Sequence, residues 1–310
     1  MSGRASVLWP LASCRGAEKK SSGAGARRHK TRFRKASLHK SRQLSKFADV
    51  RPVNACSDPH PAVASSSARG TTDASGANYK MAARRTAIVF GANTEVGKTL
   101  CSAALIKAGL RRFGRAAYLK PLQTGVDDDH AGDAALVKRY NSDGLGRCDT
   151  LHAWRAYASP HVAAREAGGQ IPSDAELARA VSEWIKAGDE PFGVVETAGG
   201  CLSPTATGRP QADAYAGLDV PALLVGDARL GGISCSLCAW EALVRRGFDV
   251  RSIVFVGDDA ALGNADAVRA VTGLGDGVLA TVAPPPLPEP LDGWLAETEE
   301  CFDAVCASVL

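Results

Sequence analysis

Methionine is nearly absent: Met1 and Met81 are the only two in 310 residues. Long apolar runs are missing altogether. No stretch approaches the ~18–20 residues of a membrane span, which excludes a helical transmembrane protein. Regular cysteine spacing is missing too, because the nine cysteines follow no framework pattern in a chain of this length. That argues against a disulfide scaffold. Acidic residues are scarce in the first 80 positions, where 4 Asp and Glu stand against 16 Lys and Arg, a net of +12. The remaining 230 residues carry a net of −8, so the overall charge of +4 conceals a split. Nucleic-acid binding loses its main support, since the positive charge lies outside the part that can fold.

What is present defines two regions. Residues 1–80 hold 13 serines and the basic cluster Arg27, Arg28, Lys30, Arg32, Arg34 and Lys35, with almost no periodic apolar pattern. An Arg-rich, Ser-rich, acid-poor leader is the signature of an organellar transit peptide. A secretory signal is excluded, because Val7–Ala12 is too short and interrupted for an apolar h-region. The competing reading is a basic disordered arm. Internal initiation at Met81, at the edge of the second region, would yield an untargeted form. Residues 81–310 suit one α/β domain with a sizeable core.

From Thr86 the pattern alternates strand and helix. Thr86–Phe90, Ala116–Leu119, Phe192–Val195, Ala222–Val225, Ile253–Val256 and Val278–Val282 are short apolar strand candidates. Helical spacing fills Leu100–Arg112, Ser173–Ala187, Ser234–Arg246 and the C-terminal Leu291–Leu310. Ser173-Asp-Ala-Glu176 is a capping-box sequence, followed by apolar Leu177, Val181, Trp184 and Ile185 at helical intervals. Strands without polar alternation, separated by helices, predict a doubly wound, mostly parallel sheet with helices on both faces. Five prolines in Ala283–Pro290 predict a loop.

The strongest chemical signal is Gly91-Ala-Asn-Thr-Glu-Val-Gly-Lys-Thr99. It follows the first strand and opens a helix, the context that marks a phosphate-binding loop. In such a loop the backbone N–H groups and the helix N-terminus converge on phosphate oxygens. Lys98 adds a point charge, and the Thr99 hydroxyl can ligate Mg²⁺. Ala92 departs from the usual pattern by standing where the first glycine does.

Three further residues fall at predicted strand or helix ends. Lys120 follows the second strand, and Pro121 is expected to stop that strand and leave the lysine at the sheet's mouth; an ordinary surface lysine is the plainer reading. Asp133 opens a helix after Gly132, where an acid also suits the helix dipole. Glu196 ends the strand before Thr-Ala-Gly-Gly200, and can serve a Mg²⁺ site or be a solvated strand terminus. Elsewhere, Cys235 and Cys238 form a lone pair within a predicted helix, which does not make a zinc site. Asp127–Asp129 reads as a solvated loop.

Taken together, Thr94-Glu-Val-Gly-Lys-Thr99, Tyr118-Leu-Lys-Pro121 with Thr124-Gly125, Ser159-Pro-His161, Val195-Glu-Thr-Ala-Gly-Gly200 and Arg229-Leu-Gly-Gly-Ile-Ser234 resemble dethiobiotin synthetase, most of all its plant type. The resemblance implies a P-loop NTPase fold and a reaction joining 7,8-diaminopelargonate and CO₂ at the expense of ATP with Mg²⁺. Thr94, Glu95, Val96, Gly97, Lys98, Thr99 and Leu100 are then expected at the nucleotide. Thr99, Asp133 and Glu196 are expected at the metal, Lys120 as the catalytic lysine, and Thr124 as a substrate-binding hydroxyl. Gly232 and Ser234 stand where a helix N-terminus can meet the substrate's distal carboxylate, or where a tight turn suffices. Asp258, in Val256-Gly-Asp-Asp259, occupies the place of the Asn-Asp pair that bacterial members use for adenine. Thr197 is a second departure, since bacterial members have glycine there. Ser159-Pro160 also reads as a helix start, with His161 bracing the loop. The resemblance further implies a homodimer, mitochondrial targeting (plastid as the alternative) and association with diaminopelargonate aminotransferase, to which the plant synthetase is fused.

Two other readings compete. Switch ATPases of the partition type share this P-loop branch, but carry a lysine where this chain has Asn93 and do not need Leu119-Lys-Pro121. Amide-forming ligases of the cobyrinate or CTP-synthase type share the phosphorylated-intermediate logic. They usually bring a glutamine-hydrolysing domain with a reactive cysteine, for which residues 81–310 leave no room.

Overall fold

All seven β-strands run parallel in one sheet, ordered β3-β2-β4-β1-β5-β6-β7. The computed structural model describes residues 85–127, 131–258, 262–275, 277–286 and 290–310. The leader expected over 1–80 therefore lies outside the described residues, as do Asp128 and Asp129 of the acidic run and residues 287–289 of the proline loop. The described part of that loop, 283–286 and Pro290, is neither helix nor strand.

The central strand β1 (Arg85–Gly91) is flanked by β4 (Phe192–Glu196) and β5 (Ala222–Gly226). Alternate β1 side chains serve opposite cores. Ala87 and Val89 join one apolar cluster with α1 (Lys98–Phe113), α8 (Asp292–Glu297) and α9 (Glu299–Ser308). Ile88 and Phe90 join another with α4 (Asp174–Ala187), α6 (Gly232–Val244) and α7 (Asn264–Thr272). Burial on both faces explains why the strand sequences show no polar alternation. The capping box of α4 is formed as expected: Ser173 Oγ accepts the Glu176 N–H at 3.2 Å, and Glu176 Oε2 accepts the Ser173 N–H at 2.9 Å. Leu177, Val181 and Trp184 are buried beneath it.

Three expectations are corrected. The strand β2 does not stop at Leu119 but runs Ala116–Thr124, through Pro121. Its pairing with β4 ends at Leu119↔Val195, while its pairing with β3 continues through Leu122↔His152 to Thr124↔Trp154. Beyond Leu119, Pro121 meets a strand on one side only, where a missing N–H is tolerated. The edge strand β3 (Leu145–Trp154) is absent from the sequence reading. It is half exposed and rich in polar residues, held by Arg147 against Glu190 at 3.1 Å and by the Trp184 indole N–H donating to Asp149 Oδ2 at 2.7 Å. The C-terminal helix is two helices, broken at Thr298, whose hydroxyl donates to Trp294 O at 2.8 Å. Among the described residues no helix is long and apolar enough to cross a membrane.

The remaining elements are α2 (Asp133–Tyr140), α3 (Pro160–Ala167), α5 (Gln211–Tyr215), β6 (Val250–Val256) and β7 (Leu279–Val282). In a parallel sheet the strands' carboxyl ends share one edge, and there the chemistry-bearing loops gather.

Candidate active site

The loop between β1 and α1 is anchored by its backbone to both neighbouring strands. Ala92 N–H donates to Val225 O and Cys201 N–H to Gly91 O, each at 2.8 Å. Gly97 has φ 92°, a left-handed conformation that suits glycine, and a Cβ there would come within 3.0 Å of Val256. Glu95 also adopts a positive φ, 57°, which is uncommon for a residue with a side chain. Val96 turns into the core, and Leu100 packs at its margin, so these two offer backbone rather than side chain to a ligand. Thr94 and Glu95 are exposed at the crest.

Five of the singled-out residues converge beside this loop. Lys120 Nζ lies 2.5 Å from Asp133 Oδ2 and 2.7 Å from Glu196 Oε1, and donates to Thr197 O at 3.2 Å. The Thr99 hydroxyl donates to the same Glu196 oxygen at 3.0 Å. Lys98 Nζ turns back toward Asn93 O at 3.5 Å. Lys120 is therefore a buried, paired ammonium, not a surface lysine, and Glu196 is fully buried, not a solvated strand terminus. Asp133 is placed by α2, whose first N–H donates to Gln123 Oε1 at 3.0 Å.

The charges set one another's ionisation. Burial works against the Lys120 ammonium, but the Asp133 and Glu196 carboxylates outweigh it and raise its pKa. Burial likewise opposes the Asp133 charge, yet Lys120 and Lys98 hold its pKa below the usual value. Lys98 goes the other way. Burial and the Lys120 charge push it down to about 8, only partly offset by Glu196 and Asp133.

The other singled-out residues surround this centre without joining it. Thr124 ends β2, four positions past Lys120. Gly232 opens α6, and a Cβ there would lie 1.7 Å from Asp227 O, so only glycine lets the helix start this close to β5. Ser234 is exposed in the first turn of α6. The neighbouring Cys235 donates its thiol to Ala92 O at 3.3 Å, which sets that turn beside the phosphate loop. Cys235 and Cys238 both lie in α6, and no metal-holding group of three or more His, Cys, Asp or Glu occurs among the described residues. Asp258 stands two residues past β6, four strand positions from β2, roughly 19 Å at sheet spacing. Ser159 precedes α3 with Pro160 in its first turn, but its hydroxyl pairs with His161 Nδ1 at 3.0 Å instead of capping the helix.

Several participants escape the sequence reading. Tyr118 donates its hydroxyl to Glu196 Oε2 at 2.8 Å. Two-residue alternation along β2 from Lys120 would have found it. Asp227, just past β5, accepts Asn93 Nδ2 at 3.2 Å and both Nε and Nη2 of Arg229 at 2.8 Å. A carboxylate at a strand end is the same signal that picked out Glu196. Asn264 donates to Asp227 O and Arg229 O at 3.0 and 2.9 Å, and no local pattern marks it.

A parallel sheet with this loop between its central strand and first helix, and Lys98-Thr99 at the helix start, defines a P-loop NTPase. The sequence profile of a family described as an AAA domain matches residues 85–289. A bifunctional dethiobiotin synthetase/adenosylmethionine-8-amino-7-oxononanoate aminotransferase of Emericella nidulans is 42% identical over 177 residues, 55% of this chain and 22% of that protein. A bifunctional dethiobiotin synthetase/7,8-diamino-pelargonic acid aminotransferase of Oryza sativa subsp. japonica, named as mitochondrial, is 35% identical over 277 residues, 70% of this chain and 33% of that protein. The ATP-dependent dethiobiotin synthetase BioD of Phenylobacterium zucineum is 35% identical over 174 residues, 54% of this chain and 73% of that protein. The chain belongs to the dethiobiotin synthetase family. It spans between about a fifth and a third of the length of the two bifunctional relatives.

Proposed function

We propose that this chain closes the ureido ring of dethiobiotin from 7,8-diaminopelargonate, CO₂ and ATP. The observation that carries the reading is the Lys120 ammonium held 2.5 Å from Asp133 and 2.7 Å from Glu196, beside Lys98 and Thr99 of the phosphate loop. In this reaction a substrate amine adds to CO₂ as a carbamate, whose oxygen attacks the γ-phosphate. The second amine then attacks the mixed anhydride carbon, expelling phosphate and closing the ring. Negative charge gathers on the carbamate and the transferring phosphoryl group, and Lys120 supplies a fixed positive charge there. Lys98 and the loop N–H groups hold the phosphates. This is catalysis by placement and preorganised charge, without a covalent enzyme intermediate.

The donor set of Thr99 hydroxyl with the Asp133 and Glu196 carboxylates suits a hard cation that also uses substrate phosphates. Mg²⁺ bound there would neutralise phosphate charge. Residues Thr94–Leu100 line the nucleotide's phosphate end. Asp258 stands on the β6 side for the base, and the sheet width between it and Lys120 suits the length of an extended nucleotide. Thr124, Gly232 and Ser234 border the diamine's side.

Partition-type activity is disfavoured by Asn93, whose side chain is committed to Asp227. The deciding assay is phosphate release with diaminopelargonate and bicarbonate. Release that requires both, with dethiobiotin formed in equal amount, supports the ligase; release indifferent to the diamine defeats it. The basic leader and the mitochondrial naming of the rice relative support mitochondrial targeting. The fused relatives likewise support association with a diaminopelargonate aminotransferase. Assembly as a homodimer rests on family membership alone.

A further inference from the structure

The crest of the phosphate loop is gripped on two flanks. On one flank Arg229, fixed by Asp227, reaches Thr94 O at 3.5 Å. On the other flank the Tyr157 hydroxyl donates to Glu95 Oε1 at 3.0 Å. Tyr157 is 81% exposed, so burial does not explain where its ring lies. It belongs to the turn between β3 and α3, which is tied to the end of β2 by Gly125 N–H to Ala156 O at 3.1 Å and Val126 N–H to Trp154 O at 3.2 Å. Its ring lies against Gly125, where a Cβ would come within 2.8 Å of Cδ2 and where φ is +73°. Gly125 directly follows Thr124. The side chain thus spans from the predicted substrate wall to Glu95, whose own backbone holds an unfavourable positive φ. An external hydrogen bond helps to hold such a conformation.

We propose that Tyr157 is a positioning residue, a strap that fixes Glu95 and couples the nucleotide loop to the diamine's side of the cleft. The coupling to the diamine rests on the ligase reading, whereas the strap itself rests only on the contacts of Tyr157. The hydroxyl stays a donor across the working pH range, because its bond to Glu95, then partial burial, raise its pKa. When either ligand orders its side of the cleft, the strap passes part of that ordering across, and linkage makes the effect mutual.

The test is Tyr157→Phe in the full-length chain, which removes one hydroxyl from an exposed ring and leaves the core intact. Calorimetry with a non-hydrolysable ATP analogue, with and without diaminopelargonate, gives the coupling factor between the two ligands. It is expected to fall about threefold to tenfold, the scale of one hydrogen bond to a charged group at an exposed position. The turnover rate at saturation is expected to stay within about twofold, since Tyr157 touches no reacting group. Hydrogen exchange supplies a readout without the diamine: the analogue alone should protect amides in residues 153–160 of the wild type and not of the variant. Wild-type coupling or wild-type protection in Tyr157→Phe overturns the strap. A chain that makes no dethiobiotin but shows Tyr157-dependent protection would defeat the ligase reading and leave the strap standing.

Discussion

Glu196 Oε1 serves two donors at once, the Lys120 ammonium at 2.7 Å and the Thr99 hydroxyl at 3.0 Å. Its other oxygen accepts the Tyr118 hydroxyl at 2.8 Å. One buried carboxylate thus joins the end of β4, the first turn of α1 and two residues of β2. A bound cation at Thr99 would share that carboxylate with Lys120, so the metal and the lysine are coupled through one side chain.

Glu196→Gln keeps the shape and removes the charge. Turnover is expected to fall ~10²–10³-fold, the scale for deleting one preorganised charged group. The Mg²⁺ concentration for half-maximal rate should rise in the same variant. Titration of initial rate against Mg²⁺ measures both, and an unchanged midpoint with unchanged turnover removes Glu196 from the site.

Lys98 predicts a pH signature. Its pKa of about 8 leaves it largely charged at pH 7 and largely neutral above pH 9 in the ligand-free chain. A bound triphosphate favours the charged form and raises the pKa again. Binding should therefore take up protons between about pH 8 and 10, and affinity should fall as pH rises through that window. Calorimetry at pH 8.5 in two buffers of different ionisation enthalpy counts the protons. No uptake there, or equal uptake in Lys98→Met, contradicts the assignment.

The sheet and the phosphate loop were legible because both are written locally. Apolar runs bounded by helical periods mark buried parallel strands, and Gly97-Lys98-Thr99 falls at one strand–helix junction. What escaped is long-range or half-buried. The strand β3 hides its pattern because Arg147, Asp149 and His152 lie on an edge, and what fixes it are Glu190 and Trp184, over 30 residues away. Pro121 misled for a related reason. Its effect depends on whether β4 still runs alongside, which no local reading supplies. Lys120 and Glu196 were each ambiguous alone, since a strand-end charge is usually solvated. Their 76-residue separation closes to 2.7 Å only through sheet order.

The charge division predicts that the leader is dispensable for chemistry. A chain begun at Met81 should match the full-length protein in turnover and in circular dichroism. A fluorescent protein fused behind residues 1–80 should enter mitochondria. Loss of activity with an unchanged spectrum would instead give the leader a catalytic part, and a diffuse cytosolic signal would remove its targeting role.

Lys120→Gln separates a ring-closing ligase from a generic ATPase. The phosphate contacts come from Lys98 and the loop N–H groups, so nucleotide affinity should survive the substitution. Removing the Lys120 charge also relieves the repulsion that helps depress Lys98, so its pKa should rise and help retain the phosphates. Against this, Asp133 and Glu196 lose their shared cation, and two facing carboxylates then favour binding one proton or a metal. Nucleotide binding should consequently become more Mg²⁺-dependent. Dethiobiotin formation should fall at least ~10²-fold, because no other positive group lies between the two carboxylates to meet the carbamate. Calorimetric ATP binding measured beside product formation from diaminopelargonate decides the matter. Near-normal synthesis would remove Lys120 as the catalytic residue. Lost ATP binding would move it into the nucleotide site and leave the carbamate without its proposed counter-charge.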